Sequence, residues 1–447
     1  MRPFAEANRP DSNRGLREEL IQRLLITRKE LPTAPLSRLG RTAMTALRIQ
    51  RAAVSGRQGQ GELDIETIAR IVGSIGQLKG TAMKMGQIMS YIDVALPAHL
   101  QEALSVLQTH AQPMPIDQAR SIVADELPGR STDLLSELEP NPVAAASIGQ
   151  VHRGRLPDGT WVAVKIQYPE VEEAIRNDFK PAAAASAIAS LVYRGARIDD
   201  FIAEARARFL EECDYRHEAA AQRRFATLYS RHPTIVVPEV HLDYCSRRVL
   251  TSTWLSGSSF AQFLEAEPTQ PKRDQIGHAL FEFYVGSLFS NGIYNCDPHP
   301  GNYVFLEDGR IGMLDYGCTR AFEGAFAAKL ARLTLAVHRD DRELLHRAFL
   351  DLGMVREDSR YDFETARDLV RAFYGPMLKD SIQQIDLGES MSMRDVFERK
   401  RELMRLHLPG EFLFLFRIRF GLLSILAKLG ARANWYRLER QWALAAS

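Results

Sequence analysis

Cysteine is scarce in this sequence, with four residues in 447, and no two of them form a C-x-x-C pair. Neither a disulfide framework nor a zinc site of the usual spacing is therefore expected. We predict reduced thiols in a cytoplasmic protein. The length itself allows two or three lobes, each with a sizeable core.

Long apolar runs are also missing. No uninterrupted stretch approaches the roughly 20 residues that cross a bilayer. The strongest candidate, residues 412–430, is interrupted by Arg417, Arg419 and Lys428, and we interpret it as a core helix. The sequence therefore predicts no transmembrane helix, while peripheral attachment to a membrane stays open.

An excess of charge of one sign is absent from the chain as a whole. The net charge is +1, so composition gives no case for nucleic-acid binding. Residues 1–60 are the exception, with twelve Lys or Arg and five Asp or Glu. This basic arm either contacts an anionic lipid surface or forms a solvated or packed tail, and we favour the tail.

The clearest chemical motifs lie in the second half of the chain. Asp297 is followed five positions later by Asn302, and Asp315 precedes a Tyr-Gly pair. In kinase-type phosphotransferases the first acid orients or deprotonates the acceptor, and the amide and second acid hold Mg²⁺ against the phosphates. Between them, two apolar runs flank Asp308-Gly309, a strong signal for a two-residue hairpin turn. Such a hairpin predicts that Asn302 and Asp315 lie side by side.

A phosphate-binding segment is predicted upstream of these acids. Residues 161–165 read Trp-Val-Ala-Val-Lys, and in kinases a strand ending in Val-Ala-x-Lys supplies the lysine that grips the α- and β-phosphates. The preceding loop has alanine where kinases have glycine, so we expect a stiffer loop and altered nucleotide binding. The candidate nucleotide-binding residues are Ala144, Ala145, Ala146, Ser147, Ile148, Gly149 and Lys165.

The lysine of such a site needs a glutamate partner on the next helix. The sequence predicts this helix over residues 201–220, with Glu211, Glu212 and Glu218 as candidates. After residue 317 there is no Ala-Pro-Glu and no long activation segment. That segment is the platform for a peptide substrate in protein kinases, so its absence argues against a conventional protein kinase.

The sequence also predicts helices over residues 116–126 and 274–290. An unusual helical segment precedes all of these motifs. In residues 78–90, Lys84 and Gln87 lie three apart on an otherwise apolar helix, so they share one face. A lysine is hard to bury in such a place without a partner, although its side chain could also extend to solvent.

These segments together resemble the UbiB/AarF family of atypical kinase-like proteins over residues 62–431. The motifs that carry the resemblance are K-x-G-Q at residues 84–87, the alanine-rich loop, V-A-V-K at 162–165, E-x-D at 212–214, the 297–302 segment and D-Y-G at 315–317. The resemblance implies an α+β, bilobal protein-kinase-like fold. Its parts are a basic arm (1–60), a helical extension (61–127), a kinase-like N-lobe (128–257) and a helical C-lobe (258–447).

The resemblance also implies roles for individual residues at the nucleotide. Lys165 would bind the phosphates and pair with Glu218. Asp297 would be the acid of the catalytic loop, and Asn302 and Asp315 would bind Mg²⁺.

A second set of implied roles concerns the helical extension, which would cover the active site. Lys84 and Gln87 would lie on it, and Glu212 and Asp214 would hold it in place. Glu212 would be the partner of Lys84.

The function that the resemblance implies is an ATP-binding, Mg²⁺-dependent ATPase that supports isoprenoid quinone biosynthesis or lipid homeostasis. The implied partners are ATP, isoprenoid lipids or quinone precursors, and proteins of quinone biosynthesis. Two alternatives stay open at this point. The protein could transfer phosphate to a lipid or small molecule, or act as a scaffold that nucleotide binding controls without turnover.

Overall fold

The computed structural model describes residues 113–146, 148–169, 171–173, 176, 210–322, 324–355, 361–386 and 411–447. The basic arm, Lys84, Gln87 and Ser147 lie outside these ranges. The chain divides into two compact units. One comprises Met1–Ile116, Pro142–Val151 and Gln167–Leu210, and the other Asp117–Asn141, His152–Ile166 and Glu211–Ser447.

The alanine-rich segment forms the first strand of a tight hairpin. Strand β1 (Ala144–Ala146) pairs antiparallel with the start of β2 (Gly149–Arg155), and Ala146 lies opposite Gly149. This register brings Ala146 opposite Gly149 in the segment where kinases have a loop with several glycines. Nearby, the buried side chain of Gln150 accepts a hydrogen bond from the Met114 amide and donates one to its carbonyl.

These strands belong to a four-stranded sheet of order β1-β2-β3-β5. Strand β3 (Trp161–Gln167) pairs antiparallel with β5 (Val249–Thr253), and Lys165 lies opposite Leu250. Val162, Val164 and Ile166 are fully buried, which places the alternate residue Lys165 on the other face of the sheet.

A second, three-stranded sheet carries the predicted hairpin. Strands β7 (Tyr303–Phe305) and β8 (Ile311–Met313) are antiparallel, and β4 (Ile235–Val236) runs parallel to β8. The connection differs from the predicted two-residue turn. The Leu306 amide donates to the Arg310 carbonyl, so three residues form the loop, and Gly309 takes a φ of 89° that a side chain would oppose.

A third pair of strands delivers the loops of interest. Strand β6 (Ile293–Asn295) ends just before Cys296 and Asp297, and it pairs antiparallel with β9 (Thr319–Ala321). The segment with Asp297 follows β6, and the segment with Asp315 leads into β9. Because the two strands are antiparallel, both segments lie at the same end of this ribbon.

Besides a short antiparallel pair of strands, β10 (Gln383–Gln384) and β11 (Arg432–Ala433), helices make up most of the rest of the described chain. Apolar side chains from most of these helices form one continuous core. Asp or Asn side chains cap several of their N-termini, as at Asp214, Asp341, Asp362 and Asn434. In chain order the helices are α1 (Ile116–Glu126), α2 (Ser131–Leu135), α3 (Tyr215–Leu228), α4 (Phe260–Glu265), α5 (Gln270–Phe281), α6 (Ser287–Asn291), α7 (Gly324–Arg339), α8 (Arg342–Asp351), α9 (Phe363–Tyr374), α10 (Glu411–Leu429) and α11 (Trp435–Ala446).

Two predicted helices are interrupted. The helix predicted over residues 201–220 breaks at Cys213, because Asp214 adopts an extended conformation and its side chain accepts a hydrogen bond from the Arg216 amide. Glu212 and Glu218 therefore lie on opposite sides of a helix start. The helix predicted over residues 274–290 contains a π-helical turn, Glu282–Gly286, between α5 and α6.

Within the described ranges, no helix combines the length and apolar character that crossing a bilayer requires.

Candidate active site

The site begins at Lys165 on β3. Its ammonium lies 2.7 Å and 2.8 Å from the two carboxylate oxygens of Glu218 on the first turns of α3. Side-chain exposure is only 14% for Lys165 and 6% for Glu218, so this ion pair is largely shielded from water. The aromatic ring of Tyr215, one turn before Glu218, lies 5.2 Å from the same ammonium.

Asp315 is the second acid at this lysine. It follows β8, and its Oδ2 lies 3.7 Å from the Lys165 ammonium, while its Oδ1 accepts a hydrogen bond from the Gly317 amide. Burial disfavours the charge on Lys165, but Asp315 and Glu218 outweigh it and raise the pKa of Lys165. One permanently charged cation therefore joins the sheet, helix α3 and the loop after the hairpin.

Packing fixes the same loop against helix α3. The ring of Tyr316, the residue after Asp315, is buried with its centroid 5.3 Å from that of Phe225. Phe225 in turn packs against Phe283 of the π-helical turn at 5.0 Å. The helix that carries Glu218 and the loop that carries Asp315 are thus held by one apolar cluster.

Asn295 links the two acidic loops. It is buried at the end of β6, where its side-chain amide donates to the Asp315 carbonyl at 2.7 Å. Its side-chain oxygen accepts a hydrogen bond from the Asp297 amide at 2.8 Å. A single buried side chain therefore sets the spacing between the loop that bears Asp297 and the loop that bears Asp315.

Asp297 is held by contacts from three directions. The Asn302 amide nitrogen donates to its carbonyl at 3.0 Å and to Oδ2 at 3.2 Å. Arg417 of α10 donates to Oδ1 at 2.5 Å. Burial lowers the pKa of Arg417 to about 9, so this guanidinium stays positively charged at neutral pH. The Tyr284 hydroxyl donates to the Asp297 carbonyl at 3.3 Å.

The residues present fit a magnesium site of the nucleotide type. Asn302 directs its amide nitrogen at Asp297, which leaves its side-chain oxygen to bind a cation, and the Asp315 carboxylate is 35% exposed. Among the described residues, no group of three or more His, Cys, Asp or Glu side chains could hold a metal ion alone. Mg²⁺ typically takes one or two carboxylate or amide oxygens from protein and the rest from phosphates and water, which matches this donor set.

The remaining predicted site residues occupy varied positions. Ala144 and Ala145 are exposed, Ile148 and Gly149 are buried, and all lie in the β1–β2 hairpin. Asp214 caps α3 and forms an ion pair with Arg216 at 2.6 Å. Glu212 is half-buried, but its predicted partner Lys84 lies outside the described residues, as does Gln87.

Three contact residues were absent from the sequence prediction as site members: Asn295, Tyr284 and Arg417. Arg417 could have been identified from the sequence, because a charged residue in a strongly apolar helix needs a polar or charged partner if it is buried. Asn295 stands two residues before Asp297, a spacing at which Asn side chains commonly accept a backbone hydrogen bond. Nothing in the sequence indicated the π-helical turn that carries Tyr284.

A strand lysine paired with a helix glutamate, an acid and amide on a loop, and a second acid across a hairpin together define a kinase-like protein. Comparison with protein families agrees. Residues 106–349 match the model of the ABC1 atypical kinase-like domain. The chain therefore belongs to the ABC1 atypical kinase-like family, to which the UbiB/AarF resemblance also pointed.

Individual relatives support the same assignment. The chain is 30% identical over 388 residues to the mitochondrial atypical kinase COQ8 of Saccharomyces cerevisiae, covering 85% of this chain and 76% of that protein. It is 33% identical over 285 residues to the mitochondrial atypical kinase COQ8B of Rattus norvegicus, covering 63% of this chain and 54% of the relative. A solved structure, described as a complex of Rv3197 with erythromycin from Mycobacterium tuberculosis, matches with a TM-score of 0.61 and 27% identity, over 90% of this chain and 98% of that one.

Proposed function

We propose that this protein is an ATP-binding, Mg²⁺-dependent ATPase of the atypical kinase type that supports isoprenoid quinone biosynthesis or lipid homeostasis. The observation that carries the proposal is the position of Lys165 between Glu218 and Asp315, at 2.7 Å and 3.7 Å. In kinases this assembled arrangement is the one that binds the phosphates of a metal-bound nucleotide.

Each residue has a distinct part in this proposal. Lys165, held by Glu218, would neutralise charge on the α- and β-phosphates. Asn302 and Asp315 would hold Mg²⁺, which supplies further charge neutralisation when bound. Asp297 would orient the acceptor for the γ-phosphate. The β1–β2 hairpin would cover the phosphates with backbone amides, in a stiffer form than a glycine-rich loop.

Water is the acceptor we favour. The sequence has no Ala-Pro-Glu platform for a protein substrate after residue 317. The proposed cover formed by Lys84 and Gln87, with Glu212 as the partner of Lys84, would exclude large acceptors and still admit water. A buried lysine requires such a carboxylate, because an unpaired buried charge costs several kcal/mol.

The quinone pathway rests on the family resemblance and on relatives that are called atypical kinase COQ8. Isoprenoid lipids, quinone precursors and proteins of quinone biosynthesis are the partners that this pathway would supply. The basic arm at residues 1–60 offers a means of peripheral contact with an anionic membrane, since Lys and Arg near such a surface each gain about 1 kcal/mol.

A phosphate-release assay tests the proposal. We expect the purified protein to hydrolyse Mg²⁺-ATP, and to do so faster with anionic vesicles that contain an isoprenoid quinone headgroup analogue. D297N should lower turnover to a small residual rate, while D243N should keep the wild-type rate, because Asp243 is a surface residue whose side chain is 76% exposed. Labelled phosphate on a lipid or metabolite would instead favour a phosphotransferase. Nucleotide binding without turnover would favour the scaffold.

A further inference from the structure

The predicted site residues do not include Arg417, yet it donates a close hydrogen bond to the Asp297 side chain. Its Nη2 lies 2.5 Å from Oδ1 of Asp297, and the two residues are 120 positions apart in the sequence. Arg417 lies on α10, where 21% of its side chain and 25% of that of Asp297 are exposed. This is a mostly shielded ion pair, so solvent screening weakens it less than a surface pair.

Helix α10 also approaches the same loop through its backbone. Gly421 follows Arg417 by four residues, so both lie on one face of the helix. A Cβ atom at Gly421 would come within 2.6 Å of the Pro298 Cγ and 3.2 Å of the Pro298 carbonyl oxygen. Only glycine permits this distance. One helix face therefore contacts two consecutive residues of the catalytic loop.

The rest of α10 is anchored away from the site. Arg419 forms a buried ion pair with Glu439 of α11. The ring of Phe416 lies 4.8 Å from that of Phe373 on α9. Two packed helices therefore fix the position of α10, and Arg417 extends toward Asp297 from a rigid support.

Two hydrogen bonds from distant parts of the chain restrict the rotation of the Asp297 carboxylate. Oδ1 accepts from Arg417 and Oδ2 accepts from Asn302, the latter at 3.2 Å. Because these two donors approach different oxygens, together they set the plane of the carboxylate.

We propose that Arg417 is a positioning residue for phosphoryl transfer, which fixes the carboxylate of Asp297 so that it orients the acceptor. This inference rests on the proposed function. Arg417 acts through Asp297, so it should influence the chemical step and leave nucleotide binding unchanged. Phosphoryl transfer depends mainly on positioning and charge, and little on a strong base, which makes the orientation of this acid important.

Steady-state ATP hydrolysis by the full chain tests the proposal first. R417Q should lower kcat by between about 10-fold and 100-fold, the loss that small misplacements of catalytic groups produce. The KM for ATP should change by less than about threefold, because the substitution leaves the interactions that bind ATP equally in the ground state and the transition state unchanged. The matched control is K428Q, which removes a positive charge from an exposed position of the same helix and should keep the wild-type kcat.

A double-mutant cycle separates positioning from a structural role. If Arg417 acts through Asp297, then R417Q should have no further effect on the residual rate of D297N. R417K keeps the charge and should recover part of kcat, and it serves as the test if R417Q does not fold. The inference would be overturned if R417Q left kcat unchanged. It would also be overturned if R417Q lowered the rate of D297N by the same factor as it lowers that of the wild type. No turnover by the wild type would instead refute the proposed function.

Discussion

At the scale of single residues, the site depends on a cation shared by two acids. Lys165 pairs closely with Glu218 and more loosely with Asp315, and the raised pKa of Lys165 keeps it charged. In the proposed function Asp315 binds Mg²⁺, and the longer distance between its carboxylate and the Lys165 ammonium agrees with that role. Glu218 therefore has two effects: it pairs with the positive charge of Lys165, and it holds the Lys165 ammonium away from Asp315.

The substitution E218Q tests this division of roles. Without its close partner, Lys165 should move to Asp315 and compete with Mg²⁺ there. Because of this competition we expect the Kd for Mg²⁺-ATP to rise at least about tenfold, which corresponds to about 1.4 kcal/mol of binding free energy. Isothermal titration calorimetry measures the effect. E265Q, at an exposed position of α4, should bind like the wild type, and an E218Q affinity within twofold of wild type would contradict this account.

At the scale of elements, the loop that carries Asp297 is held between the β6–β9 ribbon and α10. The close approach of Gly421 to Pro298 is as important here as the Arg417 ion pair. Alanine normally stabilises a helix interior by about 1 kcal/mol relative to glycine. At Gly421 this gain meets a contact of 2.6 Å that has no room for a side chain.

We therefore expect G421A to destabilise the protein by about 1 kcal/mol net, because overpacking costs about 1–3 kcal/mol. It should also lower kcat for ATP with little change in KM, since the displaced segment carries Asp297. Thermal denaturation and phosphate release measure the two effects. S424A, one turn further along α10, supplies the control. A G421A protein that is more stable and equally active would show that the helix and loop do not need this contact.

Some strands and helices of this protein have a clear local signal in the sequence, and others do not. The β7–β8 hairpin, helix α1 and the strand that ends near Lys165 followed from apolar periodicity and turn signals. The break before Asp214 did not, because the acidic run 211–218 suits a helix surface as well as a helix start. The π-helical turn 282–286 has no sequence signature, since it depends on the packing of Tyr284 and Phe283.

The site residues divide in the same way, into those with a local sequence signal and those that depend on contacts between distant segments. Residues in short motifs, such as Asp297, Asn302 and Asp315, could be identified as candidates because the proposed chemistry constrains their type and spacing, and their roles remain predictions. Asn295 and Arg417 could not, because their roles depend on contacts between distant segments. Glu218 is intermediate. Its motif left three candidate glutamates, and only the helix start at Asp214 places it opposite Lys165.

At the scale of the whole molecule, a buried polar cluster joins three helices of the larger unit. Glu439 of α11 pairs with Arg419 of α10 and lies 3.5 Å from the His338 ring of α7. Burial opposes the charge of Glu439, but Arg419 and His338 outweigh it and lower its pKa. A buried pair of this kind stabilises the fold only while both partners are present.

The substitution E439Q should therefore lower the free energy of unfolding by about 3–5 kcal/mol, the usual effect of breaking a buried pair. Because folding lowers the pKa of Glu439, its contribution is present above the ordinary value of 4.5 and is lost as the pH falls through the folded-state value. The stability difference between wild type and E439Q should thus shrink in acid. Urea unfolding followed by fluorescence of the buried Trp435 measures it.

The control is E343Q, since the Glu343 side chain is 86% exposed and its pair with Arg347 lies at the surface. Surface pairs contribute about 0–1 kcal/mol, so this variant should unfold close to the wild type. A loss of stability in E439Q no larger than that in E343Q would mean that the cluster does not hold α7, α10 and α11 together.

The central claim is that Lys165, Asn302 and Asp315 meet around one Mg²⁺-bound nucleotide, and calorimetric titration of ATP in the presence and absence of Mg²⁺ tests it most directly. The wild type should bind ATP more tightly with Mg²⁺, and D315N should lose that gain. D308N, which alters an exposed acid of the β7–β8 turn, should keep it. The claim is contradicted if D315N binds Mg²⁺-ATP as tightly as the wild type.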